Sequence, residues 1–247
     1  MRLVSVVCIQ ASGVLIWSYG GTYPVAGSIL DMINLQDWAK NLVNIPWESL
    51  ADQIQGIFKS IPCKQRSEGI YEVEDLETTL ELWDAKGTRA TIHKRKRVRF
   101  LQDNIIAFQD YAWGDGEILL NYRSSKGIPV DCYRSGYKTY ILLSLREVKN
   151  RGDIEEFNIQ WNIRKGFLTK DGYWSTDISQ RTEHARMKII FPKSRPPQRV
   201  SLEENIRRRT LSLGREAQAE LPDGRRQITW EADHPRMGEI YVLRWIW

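Results

Sequence analysis

From Leu76 onward, apolar and polar residues alternate with a period of two. Leu76, Thr78, Leu80 and Leu82 fall on one side of an extended chain, and Glu77, Thr79 and Glu81 on the other. That is the pattern of a strand with one buried and one wet face. Phe157, Ile159, Trp161 and Ile163 alternate in the same way against Asn158, Gln160, Asn162 and Arg164. Further strands are predicted where Thr139, Ile141, Leu143 and Leu145 share a face, and where Ala185, Met187, Ile189 and Phe191 do. Two more fall at Ile228 with Trp230 and at Tyr241, Leu243, Trp245 and Trp247. Turn residues stand between them: Asp84-Ala85-Lys86-Gly87, Asn150-Arg151-Gly152-Asp153, Lys170-Asp171-Gly172, Ser194-Arg195-Pro196-Pro197 and Pro222-Asp223-Gly224. About eight to ten strands joined by short turns predict a mainly β domain over residues 69–247, an antiparallel β-sandwich or barrel. The last strand is apolar on both faces except at Arg244, so it is expected inside its sheet.

Ahead of this domain the pattern changes twice. Trp47, Leu50, Ile54, Ile57, Phe58 and Ile61 recur at three-and-four spacing between Pro46 and Pro62, which predicts an amphipathic helix within a helical region and linker spanning residues 31–68. Residues 3–30 carry no charge, a length able to cross a bilayer as one helix. Gly20-Gly21-Thr22-Tyr23-Pro24 interrupts it, so three placements stay open for residues 1–30: a membrane-associated segment, a signal peptide with a poor cleavage site, or two strands buried against protein.

Composition narrows the class. With 247 residues, 42% hydrophobic content, ten Trp and ten Tyr, the chain can bury a core large enough to offset its ordering entropy. Its net charge is +5, and residues 181–247, with 14 Lys/Arg against 9 Asp/Glu, hold the whole excess. Cys8, Cys63 and Cys132 are odd in number and widely separated, which rules out a disulfide framework and gives no metal-ligand spacing. Without an Asn-x-Ser/Thr sequon either, the expectation is the cytoplasm or the cytoplasmic face of a membrane, in preference to secretion.

Candidate chemistry is sparse. The three histidines, His93, His184 and His234, lie in no nucleophile or metal motif, and no phosphate-binding glycine loop is present. Neither a cofactor nor a metal is implied. The run Lys94-Arg95-Lys96-Arg97-Val98-Arg99 is dense in positive charge. Ile92, Val98 and Phe100 share one parity, so it reads as a strand turning its basic residues outward, to solvent or to an anionic ligand. Arg207, Arg208 and Arg209 form a second cluster; on the same sheet face the two would make a phosphate- or lipid-binding patch. Specific nucleic-acid recognition is not supported. Asp110, Trp113, Asp115 and Glu117 fall in a segment rich in Gly and acidic residues, read as a loop at the end of the sandwich and so as a candidate binding site.

These features favour a non-enzymatic binding or sensor module with a basic face for an anionic ligand, attached through residues 1–61 to a membrane or a protein partner. One alternative is a soluble subunit of a larger assembly with its N-terminus buried. The other is a hydrolase with a site near residues 110–117 or at Cys132, which requires those groups to share one cavity.

Overall fold

The computed structural model describes residues 69–247, so the expectations for residues 1–68 lie outside the described residues. Alternation does what it predicts. Strand β1 (Tyr71–Leu82) buries Val73, Leu76, Leu80 and Leu82, and β7 (Ile154–Arg164) buries Phe157, Ile159, Trp161 and Ile163. Between and after them run β2 (Arg89–Phe100), β3 (Ile105–Ala112), β4 (Glu117–Ser124), β5 (Ile128–Ser135), β6 (Lys138–Lys149), β8 (Asp171–Asp177) and β9 (Thr182–Phe191). The chain ends in β10 (Arg199–Glu204), β11 (Arg209–Ser212), β12 (Gln218–Glu220), β13 (Arg226–Asp233) and β14 (Ile240–Ile246). The fold is mainly β, and the described residues contain no α-helix. Fourteen strands among the described residues exceed the eight to ten expected, because β3, β4, β5 and β8 lack a clean alternation of residue types and β11 and β12 span only four and three residues.

The strands form three sheets. Seven are ordered β12-β13-β9-β1-β2-β7-β4, four β11-β10-β14-β8, and three β3-β6-β5. The pairs are antiparallel except β1 with β9, which run parallel although more than a hundred residues separate their partners. The two smaller sheets cover one face of the large one as a sandwich. Phe108 of β3 stacks on Phe157 of β7 with ring centroids 3.9 Å apart. On the other side, Phe191 of β9 meets Trp245 of β14 edge-on at 5.4 Å, and Trp230 of β13 meets Tyr241 at 4.5 Å. All three sheets feed one apolar cluster, and each large side chain fully buried there contributes about 1.5–3 kcal/mol.

Two local expectations change. The last strand does lie inside its sheet, between β10 and β8. Gly172, read as a turn residue, is instead the second residue of β8. A Cβ there would lie 2.2 Å from the Trp245 ring, so glycine serves the close approach of an indole rather than a bend. Residues 109–112, read as part of a loop, are the second half of β3, and only 113–116 turn towards β4. At the end of that turn Gly116 has φ +76°, with no room for a Cβ against the Arg164 carbonyl.

Candidate functional site

Strand alternation divides the basic run of β2. Arg95, Arg97 and Arg99 point to the outer face of the seven-stranded sheet, where β1 brings a column of carboxylates alongside. Arg95 pairs with Asp75 and, at 3.4 Å, with Glu156 of β7; Arg97 reaches Glu74 at 2.7 Å; Arg99 meets Glu74 and, at 3.7 Å, Glu72. A bulge at Glu74 shifts the register between Val73 and Asp75, setting two successive carboxylates opposite the arginines. On the far side of β1, Lys188 and Arg186 of β9 hold Glu77 at 2.8 and 3.2 Å, and Arg186 continues to Glu231 of β13 at 2.9 Å. Burial pushes the Glu77 carboxyl up, but Lys188 and then Arg186 outweigh it and hold the group below its ordinary value. The face is therefore a grid of columns with alternating sign, β13 acidic, β9 basic, β1 acidic, β2 basic. Its positive charge is largely cancelled within the protein instead of offered to a ligand.

Lys94 and Lys96 do not point outward. They share the parity of Ile92, Val98 and Phe100 and enter the sandwich. Lys94 Nζ donates to Asp110 Oδ1 at 2.7 Å and to the Tyr111 carbonyl at 2.9 Å, lying 5.0 Å over the Trp161 ring. The Tyr122 hydroxyl donates to the other oxygen of Asp110 at 3.1 Å. A second clasp stands beside the first: Lys138 of β6 and the Tyr111 hydroxyl both contact the Asp177 carboxylate of β8. Lys138 also sits 4.5 Å over the Tyr111 ring and 5.2 Å over Trp113, whose Nε1 donates to Ser175 at 2.9 Å. These contacts join all three sheets where they meet. Burial first, and the neighbouring carboxylate second, raise the phenols of Tyr111 and Tyr122 well above their ordinary range, so both remain donors.

The second arginine cluster is elsewhere. Arg207 and Arg208 occupy the β10–β11 connection and Arg209 begins β11, in the four-stranded sheet, so the two clusters do not share a sheet face. Arg207 and Arg209 flank buried Glu204 at 3.5 and 2.8 Å, and Arg208 adopts φ +50° at the turn. Fully buried Glu239 holds the turn in place by accepting from the Ile206 and Arg207 amides at 2.7 and 3.3 Å.

Nor do the four residues of the predicted loop converge. Asp110 and Trp113 line a narrow cavity of about 40 Å³ at the sheet junction, together with Lys94, Lys96, Thr78 and Trp174. Asp115 is exposed in the 113–116 turn, and Glu117 pairs with Arg164 at 3.4 Å on β4. A volume of 40 Å³ holds about three waters and no substrate. Cys132, on β5, does not line this cavity. Burial, reinforced by Asp131, pushes its thiol up, the reverse of nucleophile activation. His93 and His184 face Glu81 and Asp233 at 3.8 and 2.8 Å. Among the described residues, no group of three or more His, Cys, Asp or Glu could hold a metal, and no helix is long and apolar enough to cross a membrane.

A larger concavity lies on the outer face of the four-stranded sheet. It is open, about 470 Å³, and lined by Tyr173, Arg199, Ser201, Arg244, Trp245 and Ile246, with Asp171 and Gly172 at one end. Arg244 Nε meets Glu203 at 2.7 Å while its guanidinium lies 5.5 Å over the Tyr173 ring. Arg199 has no ion pair among the described residues. Sequence reasoning missed this groove, although Arg244 stands out as the one charge in an otherwise apolar last strand.

No protein-family model matches the chain, and no curated protein does. Solved structures with a partial likeness include the M1 zinc metallopeptidase from Deinococcus radiodurans, 10% identical with a TM-score of 0.41 over 71% of this chain and 42% of that one. Another is a candidate nutrient-binding protein from Legionella pneumophila, 8% identical with a TM-score of 0.45 over 72% of this chain and 67% of that one. The chain spans less than half the length of the metallopeptidase it matches. Likenesses of this size carry no argument about activity or binding.

Proposed function

We propose that residues 69–247 form a non-enzymatic binding module whose ligand surface is the groove on the outer face of the four-stranded sheet. The observation that carries this reading is the contrast between two concavities. The groove has the size of a small-ligand site, about 470 Å³, within the range such sites occupy. The junction cavity is a tenth of that, and most of its ionisable groups are consumed by ion pairs. In the groove, Arg199 and the terminal nitrogens of Arg244 offer planar donors beside the Tyr173 ring, which suits an extended ligand bearing carboxylates. The anionic ligand of this reading is thus met by Arg199 and Arg244 and not by the paired arginines of β2. Residues 1–61 tether the module to a membrane or a protein partner, at the cytoplasmic face.

Fluorescence anisotropy of a labelled oligoglutamate peptide tests the groove. Binding that weakens at least tenfold in Arg199→Glu and Arg244→Glu, and is unchanged in Arg95→Glu, supports it. Equal loss in all three variants, or no binding by the intact chain, sinks it. Co-sedimentation of the full chain with phosphatidylserine vesicles tests the tether: a chain that stays in the supernatant and binds no protein partner removes it.

A further inference from the structure

On the inward face of β2, Lys96 is 7% exposed, yet its ammonium meets no carboxylate among the described residues. Its contacts are the Tyr71 hydroxyl at 3.1 Å and the ring faces of Tyr71 at 4.8 Å and Phe108 at 5.4 Å. One acceptor thus serves three N–H groups. Lys96 lines the 40 Å³ junction cavity, and so do Thr78 and Trp174. Thr78 Oγ1 and Trp174 Nε1 are both buried without a hydrogen-bond partner. An ammonium and an indole N–H can only donate, and a hydroxyl can donate, so the unmet demand around this cavity is for an acceptor.

Water supplies lone pairs but no charge. Around the cavity, Lys94 cancels Asp110 and Lys138 cancels Asp177, which leaves Lys96 as the cation in excess in a site of low dielectric. An uncompensated buried charge is among the most costly features a fold can carry. We propose that the cavity is a binding site for a small monovalent anion of chloride size, held by Lys96 with Thr78 and Trp174 as additional donors. The volume admits a halide and excludes an organic anion such as gluconate.

Thermal unfolding of the full chain, followed by circular dichroism in sodium chloride, sodium bromide and sodium gluconate at equal ionic strength, tests the proposal. A saturable rise in Tm of at least about 5 °C is expected in the two halides when the anion exceeds its Kd a hundredfold. Lys96→Met removes the charge but keeps an unbranched chain, so this variant should melt no lower than the parent in gluconate and show no halide response. Anomalous scattering from bromide in crystals of the unaltered chain is a readout independent of any variant, and it should place a peak beside Lys96 Nζ. Equal melting in all three salts, a halide response retained by Lys96→Met, or a cavity that holds only water in the bromide crystals would each overturn the proposal.

Discussion

Replacing Asp110 by alanine should be one of the most damaging single changes available in the described residues. Asp110 is 2% exposed and Lys94 retains 12% of its side-chain exposure, so the carboxylate is buried and the ammonium largely withdrawn from solvent. In Asp110→Ala the Lys94 ammonium keeps the Tyr111 carbonyl as its hydrogen-bond acceptor, over the Trp161 and Tyr111 rings, while the Tyr122 hydroxyl loses its acceptor. Breaking a buried ion pair from one side costs about 3–5 kcal/mol, and the lost hydroxyl contact adds about 1 kcal/mol. For a domain of this size that lowers Tm by about 10–20 °C. Lys94→Met combined with Asp110→Leu should recover most of the loss, to within about 2 kcal/mol of the parent, because two apolar side chains leave no charge stranded. The assay is urea unfolding followed by tryptophan fluorescence for the parent, Asp110→Ala, the single variants Lys94→Met and Asp110→Leu, and their double variant, with constant m required for the comparison. A cost below about 1 kcal/mol for Asp110→Ala, or single effects that simply add in the double variant, would refute the buried clasp and with it the inward placement of Lys94.

Two further outcomes follow from the same structure. Gly172→Ala forces a methyl group to within 2.2 Å of the Trp245 ring, an overpacking that should cost about 1–3 kcal/mol and perturb near-ultraviolet dichroism; unchanged stability would show that β8 does not press on the indole. Glu77 is held below its ordinary value against the opposing effect of burial, by Lys188 and then Arg186. Its contribution is therefore complete above the unfolded carboxyl value of about 4.3 and is lost as pH falls through the lower folded value. Glu77→Gln should cost about 1 kcal/mol at neutral pH and flatten the fall of Tm on acidification below about pH 5; identical pH profiles for the two proteins would count against the charge grid.

Alternation along single strands was legible in residues such as Phe157 to Ile163, because period two is a local property that needs no knowledge of partners. The same property held information that residue type obscured: Lys94 and Lys96 share a parity with Ile92, Val98 and Phe100, yet a positive charge argues so strongly for solvent that the parity is easily overruled. What permits their burial is remote. The carboxylate of Asp110 and the hydroxyl of Tyr71 come from other strands, and only packing of β3 on β2 and β7 brings the first of them in. The neutral grid depends likewise on β1 lying between β2 and β9, one pairing antiparallel and the other parallel across more than a hundred residues. The groove has little local signature beyond the lone charge of Arg244 in an apolar strand, since Tyr173, Arg199 and Arg244 come from three strands whose order in the sheet is not their order in the chain. The chain by itself therefore determined that the regularly alternating segments are strands and which of their faces is apolar, because those depend on neighbours one and two residues away. Which charges cancel, which lysine meets no carboxylate and where a groove opens were decided by register and sheet order, because electrostatic and steric complementarity act across space between residues the sequence keeps apart.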